Sequence, residues 1–233
     1  MTTPETAWPV LSLLERRVLG VLVEKAKTTP DVYPMSLNSL VNGCNQKSNR
    51  DPVMNLQEDQ IEETLEVLCR QGLTMRVIGG RVDRWRQQLY EAWTVTKLEL
   101  AILAELLLRG PQTEAELRRN SDRMEPFPDM ETFKTVLKPL LDRKLVIYLG
   151  PENRRGTLLT HGFHDPRELE KLADHGSSSA RNEDFSATEK VSLPPRHEME
   201  ASLVELKADI VSLKEQMEVL KQQLAALKQS LGG

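Results

Sequence analysis

Ser12-Leu13-Leu14-Glu15-Arg16-Arg17-Val18-Leu19-Gly20-Val21-Leu22 and Thr96-Lys97-Leu98-Glu99-Leu100-Ala101-Ile102-Leu103-Ala104-Glu105-Leu106 are two versions of one helix start, 84 residues apart. Each puts a hydroxyl at the N-cap and a carboxylate three residues on, the capping box that satisfies orphan backbone N–H groups reciprocally. Under that shift Leu14, Glu15, Val18, Leu19 and Leu22 fall on Leu98, Glu99, Ile102, Leu103 and Leu106. The repeat fixes the architecture before any motif does.

Working outward, a shift of 77 aligns Ser36-Leu37-Asn38-Ser39-Leu40 with Thr113-Glu114-Ala115-Glu116-Leu117, a short second helix in each half. A shift of 72 matches Ile61, Leu65 and Leu68 with Phe133, Leu137 and Leu140 on a third helix, and the strand Leu73–Val77 with Leu145–Leu149. Each strand runs into an arginine-bearing turn, Gly79–Arg84 or Gly150–Gly156, and more strand-like residues follow. Three helices closed by a two-stranded wing make a winged helix. The predicted fold is mainly α with small β-wings: two tandem winged-helix domains at 10–92 and 93–166, a flexible linker at 167–195 and a coiled coil at 196–231. Pro139 should kink or end the third helix of the second half, because it removes a backbone hydrogen bond.

Composition narrows the function classes. The chain has 233 residues, 39% of them hydrophobic and 4% aromatic, which suits small cores packed from aliphatic helices. Its net charge is −4. Residues 1–90 hold 11 basic and 11 acidic side chains, residues 91–165 hold 11 and 12, and residues 166–233 hold 9 and 12. No block is globally basic, so attraction to nucleic acid is not a property of the whole surface. Met1–Val10 has neither a basic cluster nor an apolar run, and no segment is apolar for long enough to span a bilayer, so we expect a cytoplasmic protein without membrane partners. Cys44 and Cys69 are too few for a disulfide framework, and Cys69, aligned with Leu141, reads as a buried thiol. His161 and His164 come nearest to a metal motif, but no cysteine lies beside them and an ordinary loop after the second wing explains them better. We expect neither metal nor cofactor.

The stretch 175–195 is polar, with Ser177-Ser178-Ser179 and Pro194-Pro195, and its apolar residues share no period, as in a flexible linker. A clean heptad follows. Leu203, Ile210, Met217, Leu224 and Leu231 fall at a, while Met199, Leu206, Leu213, Leu220 and Leu227 fall at d. An amphipathic helix docked on its own core would want a wider apolar stripe. Lysines 207, 214, 221 and 228 occupy e, and an antiparallel pair would set lysine rows against each other. The pattern predicts a parallel homodimer, with a trimer left open by the mixed a positions.

Between its second and third helices the first half carries five residues more than the second, since the shifts are 77 and 72. That length holds Cys44-Asn45-Gln46-Lys47-Ser48-Asn49-Arg50-Asp51-Pro52-Val53, rich in amides and turn formers. With Tyr33-Pro34-Met35-Ser36-Leu37-Asn38, Gly79-Gly80-Arg81-Val82, Arg109-Gly110-Pro111-Gln112-Thr113 and Glu116-Leu117, it makes the chain resemble the YceH-like family of uncharacterised bacterial proteins over roughly residues 10–165. The resemblance implies a tandem winged-helix fold and an association with dimers, and little about function, because fold alone is not function. Arg84-Trp85-Arg86-Gln87-Gln88 departs from the more basic run that relatives tend to show, which weakens a nucleic-acid reading.

A winged helix that reads DNA usually places its third helix in the major groove. Here that helix carries Glu58, Asp59, Glu62, Glu63 and Glu66 against Arg70 alone, and phosphates would repel it. The second-half counterpart is near neutral. Better nucleic-acid candidates are the wing cations Arg76, Arg81, Arg84, Arg86, Arg154 and Arg155, with Lys47 and Arg50 from the amide-rich loop. Solvated hairpins whose arginines pair with neighbouring acids explain the wings equally simply, and Asn45, Gln46, Ser48 and Asn49 could be a turn bonding its own backbone. An enzyme is not expected: the chain has no Gly-rich phosphate loop, nucleophile elbow or zinc spacing. Two readings remain. One is a DNA-binding regulator that uses the wings, and this is the one favoured by the sequence. The other is an adaptor that offers Glu58, Glu62, Glu63 and Glu66 to a protein partner.

Overall fold

The computed structural model describes residues 8–152, 154 and 156–181. In the first half, α1 (Leu13–Thr28) leads through a 3-10 turn to β1 (Met35–Ser36), α2 (Leu37–Cys44), α3 (Glu58–Arg70), β2 (Thr74–Val77), β3 (Arg84–Gln87) and the single turn α4 (Leu89–Ala92). The second half repeats the order with α5 (Lys97–Arg109), β4 (Gln112–Thr113), α6 (Glu114–Ser121), α7 (Met130–Asp142), β5 (Val146–Tyr148) and β6 (Leu158–His161), and α8 (Pro166–Arg181) follows. Both capping boxes form at Ser12 and Thr96. The mainly helical chain with two small antiparallel sheets is consistent with winged helices.

Each sheet has three strands rather than the two expected, in the orders β1-β3-β2 and β4-β6-β5. The extra strands are two residues long and show no period. Their second residues, Ser36 and Thr113, also N-cap α2 and α6, so in the sequence they read as helix starts.

The two halves share one apolar core. At its centre α1 is buried on every side from Arg16 to Glu24, and α5 from Glu99 to Leu108. They approach most closely at Gly20, where a Cβ would lie 2.7 Å from Leu108 Cγ. Leu11 N donates to Phe163 O at 2.9 Å and Trp8 meets Phe163 edge-on at 6.2 Å, tying the start of the first half to the end of the second, and Trp93 stacks on the same ring at 4.6 Å.

Three expectations are corrected. The linker expected at 167–195 begins as helix α8: the Asp165 carbonyl accepts from Glu168 N and Leu169 N, and the Asp165 carboxylate accepts from Arg167 N at 2.9 Å. Glu168 then grips Arg16 at 2.9 and 3.0 Å, a partner no local pattern could reveal. Residues 182–195 and the heptad positions Met199 to Leu231 lie outside the described residues. Second, α7 runs through Pro139 to Asp142, because buried Leu137 and Leu140 hold its last turns against the core. Third, Cys69 is exposed, one position past the buried Ile61-Leu65-Leu68 stripe of α3, whereas Cys44 is buried and its thiol is pushed up to about 12 by that burial. Among the described residues no helix is long and apolar enough to cross a membrane.

Candidate functional site

The amide-rich loop between α2 and α3 is built inward. Asn45 clamps it, donating from Nδ2 to Leu56 O at 2.8 Å and accepting from Leu56 N at 2.7 Å. Arg17, buried on α1, donates to Cys44 O and Pro52 O, and Asp51 N donates to Leu108 O on α5. Arg50 is not the surface cation expected. Its Nε donates to Gly43 O, Nη1 to Glu24 Oε1 and Asn49 O, and Nη2 to Glu24 Oε2 at 2.5 Å and Gln46 Oε1 at 3.0 Å. A guanidinium has five N–H groups, and these bonds use them all, so Arg50 has none to offer a phosphate. At its tip Lys47, Ser48 and Asn49 are exposed, with Asn49 at φ 56°, a left-handed conformation that asparagine tolerates, and Asp51, Pro52 and Val53 are exposed beyond buried Arg50.

Beneath the loop lies a buried ion network that joins the halves. Glu24 accepts from Arg123 as well as Arg50, and Arg123 Nη2 reaches Glu105 Oε2 at 2.9 Å. Burial alone would raise the Glu24 pKa, but the hydrogen bonds and charges of Arg50 and Arg123 prevail and hold it at about 2. No sequence motif pointed to this network. Its trace in the sequence is a lone carboxylate in each of two otherwise apolar helix faces, Glu24 on α1 and Glu105 on α5.

The first wing divides its arginines. Arg76 Nε bonds Asp83 Oδ2 at 2.8 Å and its guanidinium lies over Trp85, so it behaves as a paired hairpin residue. Trp85 is buried. Arg84 donates to Pro34 O at 2.8 Å and Arg86 contacts Met75 Sδ at 3.2 Å, yet both keep exposed charge. Arg81 has no side-chain partner among the described residues and is exposed. Around them Ile78 is 77% exposed and Val82 54%, aliphatic residues flanking Gly79-Gly80-Arg81 that no sequence pattern singled out.

On α3, Glu58, Asp59, Glu62, Glu63 and Glu66 are all exposed, while Ile61, Leu65 and Leu68 face the core. Glu58 and Glu62 line a groove with Arg76, Arg81, Val82 and Trp85, so the acidic helix and the basic wing tip share one concave surface. In the second half α7 exposes Lys134 and Lys138. Lys134 lies 3.6 Å from Glu114, which also accepts from the Tyr148 hydroxyl at 2.6 Å. Arg154 is exposed on the second wing, and Arg155 lies outside the described residues.

His161 and His164 are both buried: His161 ends β6, His164 lies in the loop that follows it, and the rings stack at 3.9 Å. His164 Nδ1 lies 2.7 Å from Arg16 Nη1 and 3.0 Å from Glu168 Oε2, and its Nε2 is hydrogen-bonded with Thr160 Oγ1 at 2.8 Å. Burial lowers both imidazole pKa values, helped at His161 by His164 and Arg16.

Fold and surface together define a helix-rich protein with two small antiparallel sheets, whose first half displays an acidic helix and an aliphatic, basic wing. The family described as "Protein of unknown function, DUF480" matches residues 11–154. A UPF0502 protein of Rhodopirellula baltica is 45% identical over 175 residues, 73% of each chain. Another, of Citrifermentans bemidjiense, is 43% identical over 183 residues, 76% of this chain and 85% of the relative. A third, of Pseudomonas fluorescens, is 38% identical over 197 residues, 84% and 90%. The chain belongs to this UPF0502 family of uncharacterised bacterial proteins.

Proposed function

We propose that this protein is a cytoplasmic, non-enzymatic adaptor: tandem winged helices carried on a parallel coiled-coil homodimer, binding a protein partner through the acidic face of α3. One observation carries this reading. Five carboxylates are exposed on the helix that a DNA-reading winged helix would lay in the major groove, where they would be repelled by phosphates. Buried Arg50 and paired Arg76 remove two of the cations that favoured DNA. The heptad from Met199 to Leu231 supports the homodimer, because ten apolar a and d positions would otherwise face water.

A second reading, a DNA-binding regulator, is favoured by the exposed charge of Arg81, Arg84 and Arg86, with Lys47 and Arg154 in support. One experiment separates the two. If the protein is an adaptor, Glu62→Gln with Glu63→Gln abolishes capture of a partner that survives nuclease, while Arg81, Arg84 and Arg86 changed together to Ala leave it intact. If it binds DNA, the arginine change weakens duplex binding and flattens log affinity against log salt by about 0.9 for each phosphate no longer neutralised, and the glutamate change leaves binding equal or tighter.

A further inference from the structure

We infer that the open edge of the first sheet docks an extended protein segment in which acidic and aliphatic residues are interleaved. This rests on the adaptor reading only in taking protein as the class of partner; Glu58 and Glu62 of α3 meet the wing tip on the Trp85 side of the sheet, whereas the segment would lie along the β2 edge and the opposite face.

Among the described residues β2 pairs with β3 on one side and with nothing on the other. Exposed edges are normally blunted by charge, proline, a bulge or brevity. β2 is four residues long and carries one charge, Arg76, which is paired with Asp83; it has no lysine, proline or bulge. The register sets Met75 opposite Arg86 and Val77 opposite Arg84, so those four share the outer face of the sheet, while buried Thr74 and Trp85 face the core. Ile78 and Val82 extend the aliphatic strip to the wing tip. Single exposed aliphatics are ordinary; Met75, Val77, Ile78 and Val82 on one hairpin form a patch.

The second sheet is built otherwise at its equivalent edge. Val146 is buried, Ile147 and Tyr148 are half-buried, and Tyr148 is tied to Glu114.

Charge identifies the occupant. Asp83, the one carboxylate of the hairpin, is engaged by Arg76, which leaves Arg81, Arg84 and Arg86 as the exposed charge of the wing. Arg86 contacts Met75 Sδ, its cross-strand neighbour on β2, so its cation lies on the outer face directed toward the edge strand. Main-chain bonds to the open edge would give affinity, and alternate side chains specificity. Aliphatic groups on the added strand would cover Met75 and Val77, and carboxylates would meet Arg84 and Arg86. Duplex DNA would satisfy the arginines and leave Ile78 and Val82 in water.

The test begins with peptides of about 12 residues selected from a random display library on the full chain; a strand about that long spans an edge of this size. The expected selection alternates Asp or Glu with Val, Ile or Leu. A labelled peptide of that kind should bind about tenfold more weakly to Ile78→Ser with Val82→Ser, and again to Arg84→Glu with Arg86→Glu, and exchange of its acids for lysine should restore binding to the second variant. Glu62→Gln with Glu63→Gln should leave the peptide bound, so a variant that still captured the nuclease-resistant partner would count against the adaptor reading and spare this one. The inference is overturned if selection yields no acidic-aliphatic sequence, if binding ignores both wing variants, or if a duplex of about 20 base pairs displaces the peptide with an affinity that Ile78→Ser and Val82→Ser do not change.

Discussion

The two halves of the molecule agree where they are buried and disagree where they meet water. Leu19 and Leu103, Leu22 and Leu106, Leu65 and Leu137, and Leu68 and Leu140 are equivalent pairs, and all are buried. On the exposed face of the third helix the charges invert: Glu62 and Glu66 of α3 stand where α7 has Lys134 and Lys138, 72 residues on. Every large hydrophobic exposed among the described residues, from Val10 to Val82, lies in the first half. Packing tolerates few solutions at a helix crossing, so equivalent cores stay alike while surfaces are free to take on different work. The first half presents an acidic helix and exposed aliphatic side chains. The second presents lysines on α7 and exposes no large aliphatic side chain among its described residues.

Different surfaces do not make separate domains, and the largest expected effect tests that directly. Glu24 belongs to the first half, and its partner Arg123 to the second. Glu24→Ala leaves the buried Arg50 and the partly exposed Arg123 without their shared carboxylate, and should cost about 3–5 kcal/mol, the typical penalty for breaking a buried pair. Because the apolar core is continuous, the loss should appear as one shifted denaturation curve, with circular dichroism and tryptophan fluorescence coincident. Two separated transitions, only one of them shifted, would show that the halves are independent domains and that their contact is secondary.

How far these features could be read in the sequence depends on how local their causes are. The capping boxes at Ser12 and Thr96, the apolar helix stripes and the order of three helices and a two-stranded wing in each half follow from residues within a few positions of one another, and these are legible. Arg50 is not. An arginine in a turn of amides reads alike at the surface and in the core, and what buries it is Glu24, a whole helix upstream. Helix α8 was hidden for the same reason, since its own composition is polar and its anchor is Arg16 at the other end of the chain. The exposed wing aliphatics sit in a strand-turn-strand pattern that normally packs on something, and only the structure distinguishes the inner face from the outer.

Acid should separate contributions that neutral conditions leave merged. Glu24 holds its proton less tightly when folded, near 2, than its ordinary value of 4.5, so the unfolded chain binds more protons between those values. Its stabilisation is complete above about 4.5 and is lost as pH falls toward 2, a change of roughly 3 kcal/mol. The buried pair His161 and His164 acts at higher pH. Both stay neutral when folded and protonate when unfolded, so their share falls away as pH drops below 6.5. Denaturation measured from pH 8 to 3 should show both windows. In Glu24→Ala the lower one should flatten and the upper persist; an unchanged lower window would mean that Glu24 is not the carboxylate responsible.

The smallest effect bears on the line where the two repeats touch. Gly20 and Ala104 are equivalent positions of α1 and α5, and a Cβ at Gly20 would come within 3.4 Å of the Ala104 carbonyl and 2.7 Å of Leu108 Cγ. In an isolated helix Gly20→Ala would be favourable by about 1 kcal/mol, because alanine loses less backbone entropy on folding. Here overpacking should cost about 1–3 kcal/mol and outweigh it, leaving a net loss of about 1 kcal/mol. Leu108→Ala alone opens a cavity and costs more, but combined with Gly20→Ala it gives the new methyl room, so the double variant should be more stable than the sum of the two single losses predicts. That positive coupling is the signature of a fixed close approach. Additive effects, or a stabilising Gly20→Ala, would mean that α1 and α5 can slide apart, and that the ion network around Glu24 rather than helix packing sets how the two halves meet.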